Sequence, residues 1–198
     1  MARDRASRPE AKPLRLFIAV DVPDAVKAEL AGKIGPFRER IPGARWTKED
    51  GWHVTLKFLG ATWPRLMEQV SGAVEEAARG AAPFHTRLTA LGVFASPRRA
   101  RVVWAGLDDP GHRFGEIVGA LDGLLSEDFE PEKREFTPHL TLARLNPPRD
   151  IREFAPEIVG MEIPSADFEV QTLVLYRSHL SPHGATYEPL LVRPFGVP

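Results

Sequence analysis

His53-Val54-Thr55-Leu56 and His139-Leu140-Thr141-Leu142 are one pattern written twice, with 139 − 53 = 86 residues between the two histidines. Successive side chains on a β-strand point to opposite faces. Read as strands, both tetrads place His and Thr on one face and two aliphatic residues on the other. The aliphatic faces, Val54 with Leu56 and Leu140 with Leu142, can anchor in a core. The polar faces are then free to line a cleft. Two lobes of similar size, each supplying one such strand, account for the separation.

Outward from these tetrads the chain alternates short elements. Leu14–Val20 reads as a first strand. Pro23 marks a helix start, and Val26, Leu30 and Ile34 keep helical spacing towards Arg40, where Pro42-Gly43 ends the element. Trp52–Leu59 reads as a strand closed by Gly60. A second amphipathic helix follows from Pro64, with Leu66, Val70, Ala73, Val74 and Ala77 on one side. Strands are expected near Phe84–Phe94 and Arg101–Leu107, with the Ser96–Arg99 turn between them. A third helix opens at Pro110-Gly111 and buries Ile117, Val118, Leu121, Leu124 and Leu125. A strand near Leu140–Leu145, a short helix near Ile151–Val159, and strands near Phe168–Tyr176 and Tyr187–Val192 complete the series. Helices interrupting strands that can pair as antiparallel neighbours make this α+β rather than a doubly wound sheet. Residues 1–13 are polar and Pro-containing, the composition of a flexible arm, and residues 14–198 form a single domain.

Bulk properties exclude several classes. The 198 residues hold no cysteine, so disulfides, thiolate metal sites and cysteine nucleophiles are absent. No run approaches the roughly 18 apolar residues of a membrane span, and the N-terminus lacks the apolar core of a secretory signal. A cytoplasmic protein that does not engage membranes is the expectation. The formal net charge of −1 gives no overall pull towards nucleic acid. The basic residues are nevertheless mostly arginine, whose planar donors suit phosphate oxygens, so a local phosphate site fits better than a broad basic face.

The chemistry follows from the two polar faces. In-line attack on a phosphodiester needs one group to take a proton from the attacking oxygen and one to give a proton to the leaving oxygen. Imidazole, with an unperturbed pKa near ~6.5, does either at neutral pH. The hydroxyls of Thr55 and Thr141 can donate to non-bridging phosphate oxygens. No Asp or Glu lies within the tetrads to complete a hard cation site, so neither a metal nor another cofactor is implied. The residues leave open which histidine is acid and which is base.

Further stretches give the chain its likeness: Arg15-Leu16-Phe17-Ile18-Ala19-Val20, Trp52 before the first tetrad, and Val102-Val103-Trp104-Ala105-Gly106. Phe136-Thr137-Pro138 before the second tetrad, Leu175-Tyr176-Arg177-Ser178 and Tyr187-Glu188-Pro189-Leu190 complete it. Over residues 14–192 the sequence resembles the 2H phosphoesterases, specifically their RNA 2′,3′-cyclic phosphodiesterase (2′-5′ RNA ligase) branch. The resemblance implies a bilobal α+β fold in which two antiparallel sheets enclose a central cleft, with helices outside. It implies opening of RNA 2′,3′-cyclic phosphate ends to 2′-phosphates, with 2′-5′ joining by some members. By position it makes His53 the proton donor and His139 the acceptor, with Thr55 and Thr141 holding the phosphate. RNA ends are the expected partners of a monomer with no obligate protein partner.

Other residues read less sharply. Phe17 is either a platform for an unpaired base or a core residue. Strand alternation puts Arg144 on the face away from His139 unless a bulge turns it inward, as the resemblance favours. Tyr187 is a candidate nucleotide contact. His179-Leu180-Ser181 imitates the tetrads, but Pro182 and Gly184 make it read as a turn. His85 and His112 are expected at the surface, and Asp108-Asp109 as cap and turn residues. Two rivals stand beside the RNA reading: the same site acting on ADP-ribose cyclic phosphate, and a non-catalytic RNA-end binder.

Overall fold

The computed structural model describes residues 12–41, 43–182 and 184–197. Most of the expected N-terminal arm, residues 1–11, lies outside them. The chain runs through β1 (Leu14–Asp21), α1 (Asp24–Arg38), β2 (Ala44–Trp46), β3 (His53–Thr62), α2 (Met67–Gly80), β4 (Phe84–Thr86) and β5 (Leu88–Phe94). It continues through β6 (Ala100–Leu107), α3 (Arg113–Leu124), β7 (His139–Arg149), α4 (Ala155–Ile158), β8 (Phe168–Val170), β9 (Thr172–Ser181) and β10 (Gly184–Pro194). No helix among the described residues is long and apolar enough to cross a membrane.

Among the described residues the strands form one large antiparallel sheet and one small one. The large sheet has the order β10-β9-β1-β3-β7-β6-β5, with β2 also pairing with β7, and β4 pairs with β8 apart from it. The fold is therefore α+β, as the order of elements implied. Two half-sheets, β10-β9-β1-β3 and β7-β6-β5, meet at β3 and β7, where a single pair, Val54↔Leu140, is in register. Past that rung β2 takes the place of β3 along β7, pairing Ala44↔Leu145, Arg45↔Arg144 and Trp46↔Ala143.

The core explains the patterning. β1 is central, and Leu16–Val20 are buried on both faces, as the unbroken apolar run requires. α1 buries Val26, Leu30, Ile34 and Phe37. α2 buries Val70, Ala73, Val74 and Ala77, and α3 buries Phe114, Ile117, Val118 and Leu121. α2 packs on α3, β9 and β10, and α3 on β3, so both cover the back of the first half-sheet. Leu124, expected in the core, is exposed, whereas Leu125 is buried. The Asp109 carboxylate accepts the Phe114 amide at 3.0 Å and caps the start of α3.

Three elements differ from expectation. The apolar stretch 84–94 is two strands in different sheets, because β4 leaves to pair with β8. Residues 151–159 hold only one helical turn, Ala155–Ile158. His179-Leu180-Ser181 is not a turn. β9 continues through it, and the hairpin with β10 is registered to Ser181↔Gly184. Proline removes only its own N–H, so Pro182 stops the strand after Ser181 rather than before His179.

Both tetrad strands carry the same irregularity. Against β1, β3 pairs Ala19↔Thr55 and then Ile18↔Lys57, leaving Leu56 as the extra residue. Against β6, β7 pairs Trp104↔Thr141 and then Val103↔Ala143, leaving Leu142 extra. A bulge puts two consecutive side chains on one face and reverses the alternation beyond it. The burial strings of His53–Leu59 and His139–Leu145 are accordingly identical: the fourth and fifth residues are buried and the sixth is exposed. Thr47 holds the second bulge. Its hydroxyl is 2.9 Å from both the Thr141 and Leu142 carbonyls, and it accepts the indole N–H of buried Trp52 at 2.7 Å.

Behind β3 the bulge buries Lys57, which pairs with Asp122 of α3 and donates to the Glu130 carbonyl at 3.2 Å. The other Asp122 oxygen accepts the Glu132 amide at 3.2 Å, so this pair also ties down the segment leading to β7. The Lys57 and Asp122 side chains are 5% and 18% exposed, and removing one partner strands the other charge. Lys57→Met should destabilise the fold by about 3 kcal/mol, with most of the loss recovered in the Lys57→Met/Asp122→Leu double variant. Urea unfolding of the single and double variants measures this, and a double variant as unstable as the sum of the singles would refute it.

Candidate active site

The register of the seam assembles the polar residues. With Val54 opposite Leu140, the antiparallel register carried one residue either way sets His53 beside Thr141 and Thr55 beside His139. Val54 and Leu140 are fully buried, while all four polar residues are half-buried. The two His/Thr faces thus form one surface on neighbouring strands.

Each histidine is anchored alike. Nδ1 of His139 lies 2.7 Å from the Thr137 carbonyl oxygen. A carbonyl only accepts, so Nδ1 carries the hydrogen and Nε2 is left for the cleft. The Gly51 backbone likewise favours the protonated form of His53 by hydrogen bonding, which marks its carbonyl as the acceptor. Both carbonyls lie two residues before their histidine. That spacing is visible in the sequence but chemically silent, since every residue has a carbonyl.

Aromatic rings set the rest of each imidazole's surroundings. His53 stacks on Phe17 with ring centroids 4.7 Å apart, and the edge of Tyr187 meets it at 4.9 Å. Tyr176 stacks on Phe17 at 5.2 Å and donates its hydroxyl to Asp21 at 2.7 Å. Phe17 is only 3% exposed. Of its two expected readings, base platform or core residue, this burial fits the core one, with the ring stacked on His53. On the other side Phe94 meets His139 edge-on at 5.0 Å, and Trp104 lies 6.4 Å away. The Trp104 indole covers Gly92, where a Cβ would collide with the ring. Phe94, Trp104, Tyr176 and Asp21 are not legible as site residues in the sequence, because they reach the site only through long-range strand pairing.

Burial decides the protonation. Desolvation lowers the His53 pKa from 6.5 to about 4; the Gly51 carbonyl opposes this, and the positive charges of Lys27 and Arg144 reinforce it. Burial also lowers His139, opposed by the Thr137 carbonyl and reinforced by Arg144. The free protein therefore holds two neutral imidazoles at neutral pH. Burial pushes the Tyr187 hydroxyl up, against the pull of Arg144 and Arg15.

Arg144 is exposed, and its charge acts on His53, His139 and Tyr187. The bulge at Leu142 achieves what simple alternation forbade. In β3 the equivalent position is Phe58, 63% exposed, with its ring 6.1 Å from Phe17. Lys57 corresponds to buried Ala143, so the basic residues following the two tetrads are not structural equivalents. His179 binds Glu188 at 2.7 Å on the β9–β10 hairpin. His183 lies outside the described residues. His85 and His112 are exposed, as expected. No group of three or more His, Asp or Glu among the described residues converges as a metal-ligand set.

The profile of the 2′-5′ RNA ligase superfamily matches residues 22–182. A protein of Methanothermobacter thermautotrophicus named RNA 2′,3′-cyclic phosphodiesterase is 29% identical, over 88% of this chain and 95% of its own. A namesake from Methanocaldococcus jannaschii is 28% identical, over 88% and 97%. Among solved structures, TT0787 of Thermus thermophilus superposes with a TM-score of 0.79 at 28% identity, covering 92% of this chain and 98% of its own. Apo LigT of Escherichia coli shares the fold, with a TM-score of 0.74 at 23% identity over 93% and 99%. With the family profile spanning both tetrads, the chain belongs to the 2′-5′ RNA ligase superfamily.

Proposed function

We propose that this cleft opens RNA 2′,3′-cyclic phosphate ends to 2′-phosphates by acid–base catalysis between His53 and His139, without a metal ion. The observation that carries the reading is the paired anchoring of the two imidazoles. Each hydrogen-bonds to the backbone two residues before it, through Nδ1 in His139, and each lies beside a threonine from the neighbouring strand. That its relatives are named RNA 2′,3′-cyclic phosphodiesterase supports the same enzyme activity here.

The proton inventory closes with these groups. Neutral His139 takes a proton from water as its oxygen bonds to phosphorus. Protonated His53 gives a proton to O3′ as the P–O3′ bond breaks, leaving the phosphate on O2′. Thr55 and Thr141 donate to the non-bridging oxygens, and Arg144 offsets the charge that develops there. A 5′-hydroxyl in the place of water yields a 2′-5′ linkage by the same transfers. The assignment of donor and acceptor rests on family resemblance, because the geometry treats the two rings alike. Tyr187, edge-on to His53, is a wall of the nucleotide site. The protein would meet RNA ends as a cytoplasmic monomer.

The direct test uses an RNA oligonucleotide ending in a 2′,3′-cyclic phosphate, with ADP-ribose cyclic phosphate as competitor. Hydrolysis to a 2′-phosphate should persist in EDTA. His53→Ala and His139→Ala should each lose roughly 10²–10⁴-fold in kcat. Loss of turnover in EDTA, or a wild-type rate in either variant, refutes the mechanism; preference for the ADP-ribose compound refutes the substrate.

A pH prediction follows from the depressed histidines. Catalysis needs one ring neutral and one protonated. Both free-enzyme pKa values lie below 6.5, so that form is most populated on the acid side of 6.5 and declines as pH rises. Bound phosphate favours imidazolium and raises both values. The kcat/KM profile should therefore peak below pH 6.5 and the kcat profile at higher pH. A kcat/KM optimum above pH 7 would contradict it.

A further inference from the structure

Arg45 is the residue of β2 that stands directly across from Arg144 of β7. Side chains directly opposite on an antiparallel pair share a face, and like charges so placed repel. Both arginines are exposed, and no ion pair joins either of them to a carboxylate among the described residues. The repulsion is built in structurally. β2 is anchored to β7 not only by its strand register but also by Thr47, whose amide donates to the Leu142 carbonyl at 2.8 Å and whose hydroxyl grips the bulge. That same bulge is what turns Arg144 to the cleft face. Arg149 extends the basic side, its guanidinium lying against Gly43 just before β2, again with no acidic partner among the described residues.

The geometry points to a second phosphate subsite formed by Arg45 with Arg144, further along β7 from the two histidines, that takes the phosphodiester preceding the cyclic end. β2 continues the lane of β3 along β7, so Arg45 faces Arg144 at a level five residues beyond His139 on β7, displaced along the strands from the phosphate held between His53 and His139. Two unpaired guanidiniums on one face match a second anionic group and lose their repulsion when it binds. The fitting substrate class is then an RNA of two or more nucleotides rather than a nucleoside cyclic phosphate. This assignment rests on the proposed cyclic-phosphate chemistry.

The test compares kcat/KM for a dinucleotide ending in a 2′,3′-cyclic phosphate with that for the corresponding nucleoside 2′,3′-cyclic phosphate, in wild type, Arg45→Ala and Arg45→Lys. Each substrate has one reacting phosphate; only the dinucleotide has a second. Arg45→Ala should lower the dinucleotide-to-mononucleotide ratio by about tenfold, as loss of a hydrogen bond between charged groups implies, and Arg45→Lys should lower it less. Added salt should erode the wild-type preference. Arg113→Ala, on α3 and paired with Glu116, serves as the control and should leave the ratio unchanged. An unchanged ratio in Arg45→Ala, with a fully active wild type, overturns the subsite and leaves the catalytic reading standing. A loss confined to ADP-ribose cyclic phosphate, whose diphosphate is the other source of a second anion, overturns the RNA assignment. No turnover by wild type on any cyclic phosphate overturns the catalytic reading and the subsite with it.

Discussion

The single rung between Val54 and Leu140 is the constraint on which the site depends. Two fully buried aliphatic side chains meet there, and slipping either strand by one residue would send a histidine and a threonine into the core. The penalty for burying those polar groups unpaired amounts to several kcal/mol, so the register is strongly specified by residues with no chemistry of their own. Because the strands are registered only at that point, the half-sheets hold the two His/Thr faces together without closing over them. The seam is narrow enough to leave a cleft and buried enough to fix its floor.

On that floor the two bulges make a symmetric frame and then break the symmetry. Both strands place an extra leucine after the threonine, and both return the sixth residue of the motif to the cleft face. In β3 that residue is Phe58 and in β7 it is Arg144. Identical backbones thus give the cleft unlike groups, a bare aromatic ring from one lobe and a guanidinium from the other. A substrate with a flat base and a charged phosphate has reason to bind one way round.

Much of this is legible in the sequence because strand alternation is a local rule. The sorting of His53, Thr55, His139 and Thr141 from Val54, Leu56, Leu140 and Leu142 needs only the period of two, and the repeat makes the pattern stand out. Placement of Arg144 needs the bulge, and bulges come from pairing between strands far apart in the chain. Nothing in Leu142 itself announces one. Phe17 stays open in the sequence because an aromatic on this strand can be buried against a histidine as readily as it can face a nucleotide, and its burial comes only from the fold. Pro182 misleads about His179, because a proline ends the hydrogen bonding of a strand at its own position and not three residues earlier. Elements set by tertiary competition, such as the departure of β4 to pair with β8, leave no local trace.

The depressed histidines give the cleft a further property. An imidazole held by a carbonyl, walled by aromatic rings and beside Arg144 stays neutral in the free protein, since desolvation and like charge both oppose the proton. A phosphate anion tips the balance the other way, because its negative charge favours imidazolium and offsets the field of Arg144. Substrate binding and protonation are then thermodynamically linked, and by reciprocity a protonated site binds the anion more tightly. Arg144 sits on both sides of this balance, opposing the proton before the anion arrives and sharing the anion's charge afterwards. A lysine there would supply the charge without the planar pair of donors, and a neutral residue would relieve the histidines while weakening the hold on phosphate. Burial is the larger force keeping the free cleft unprotonated, and the residue that the bulge re-aims adds to it with a charge that an arriving anion would offset.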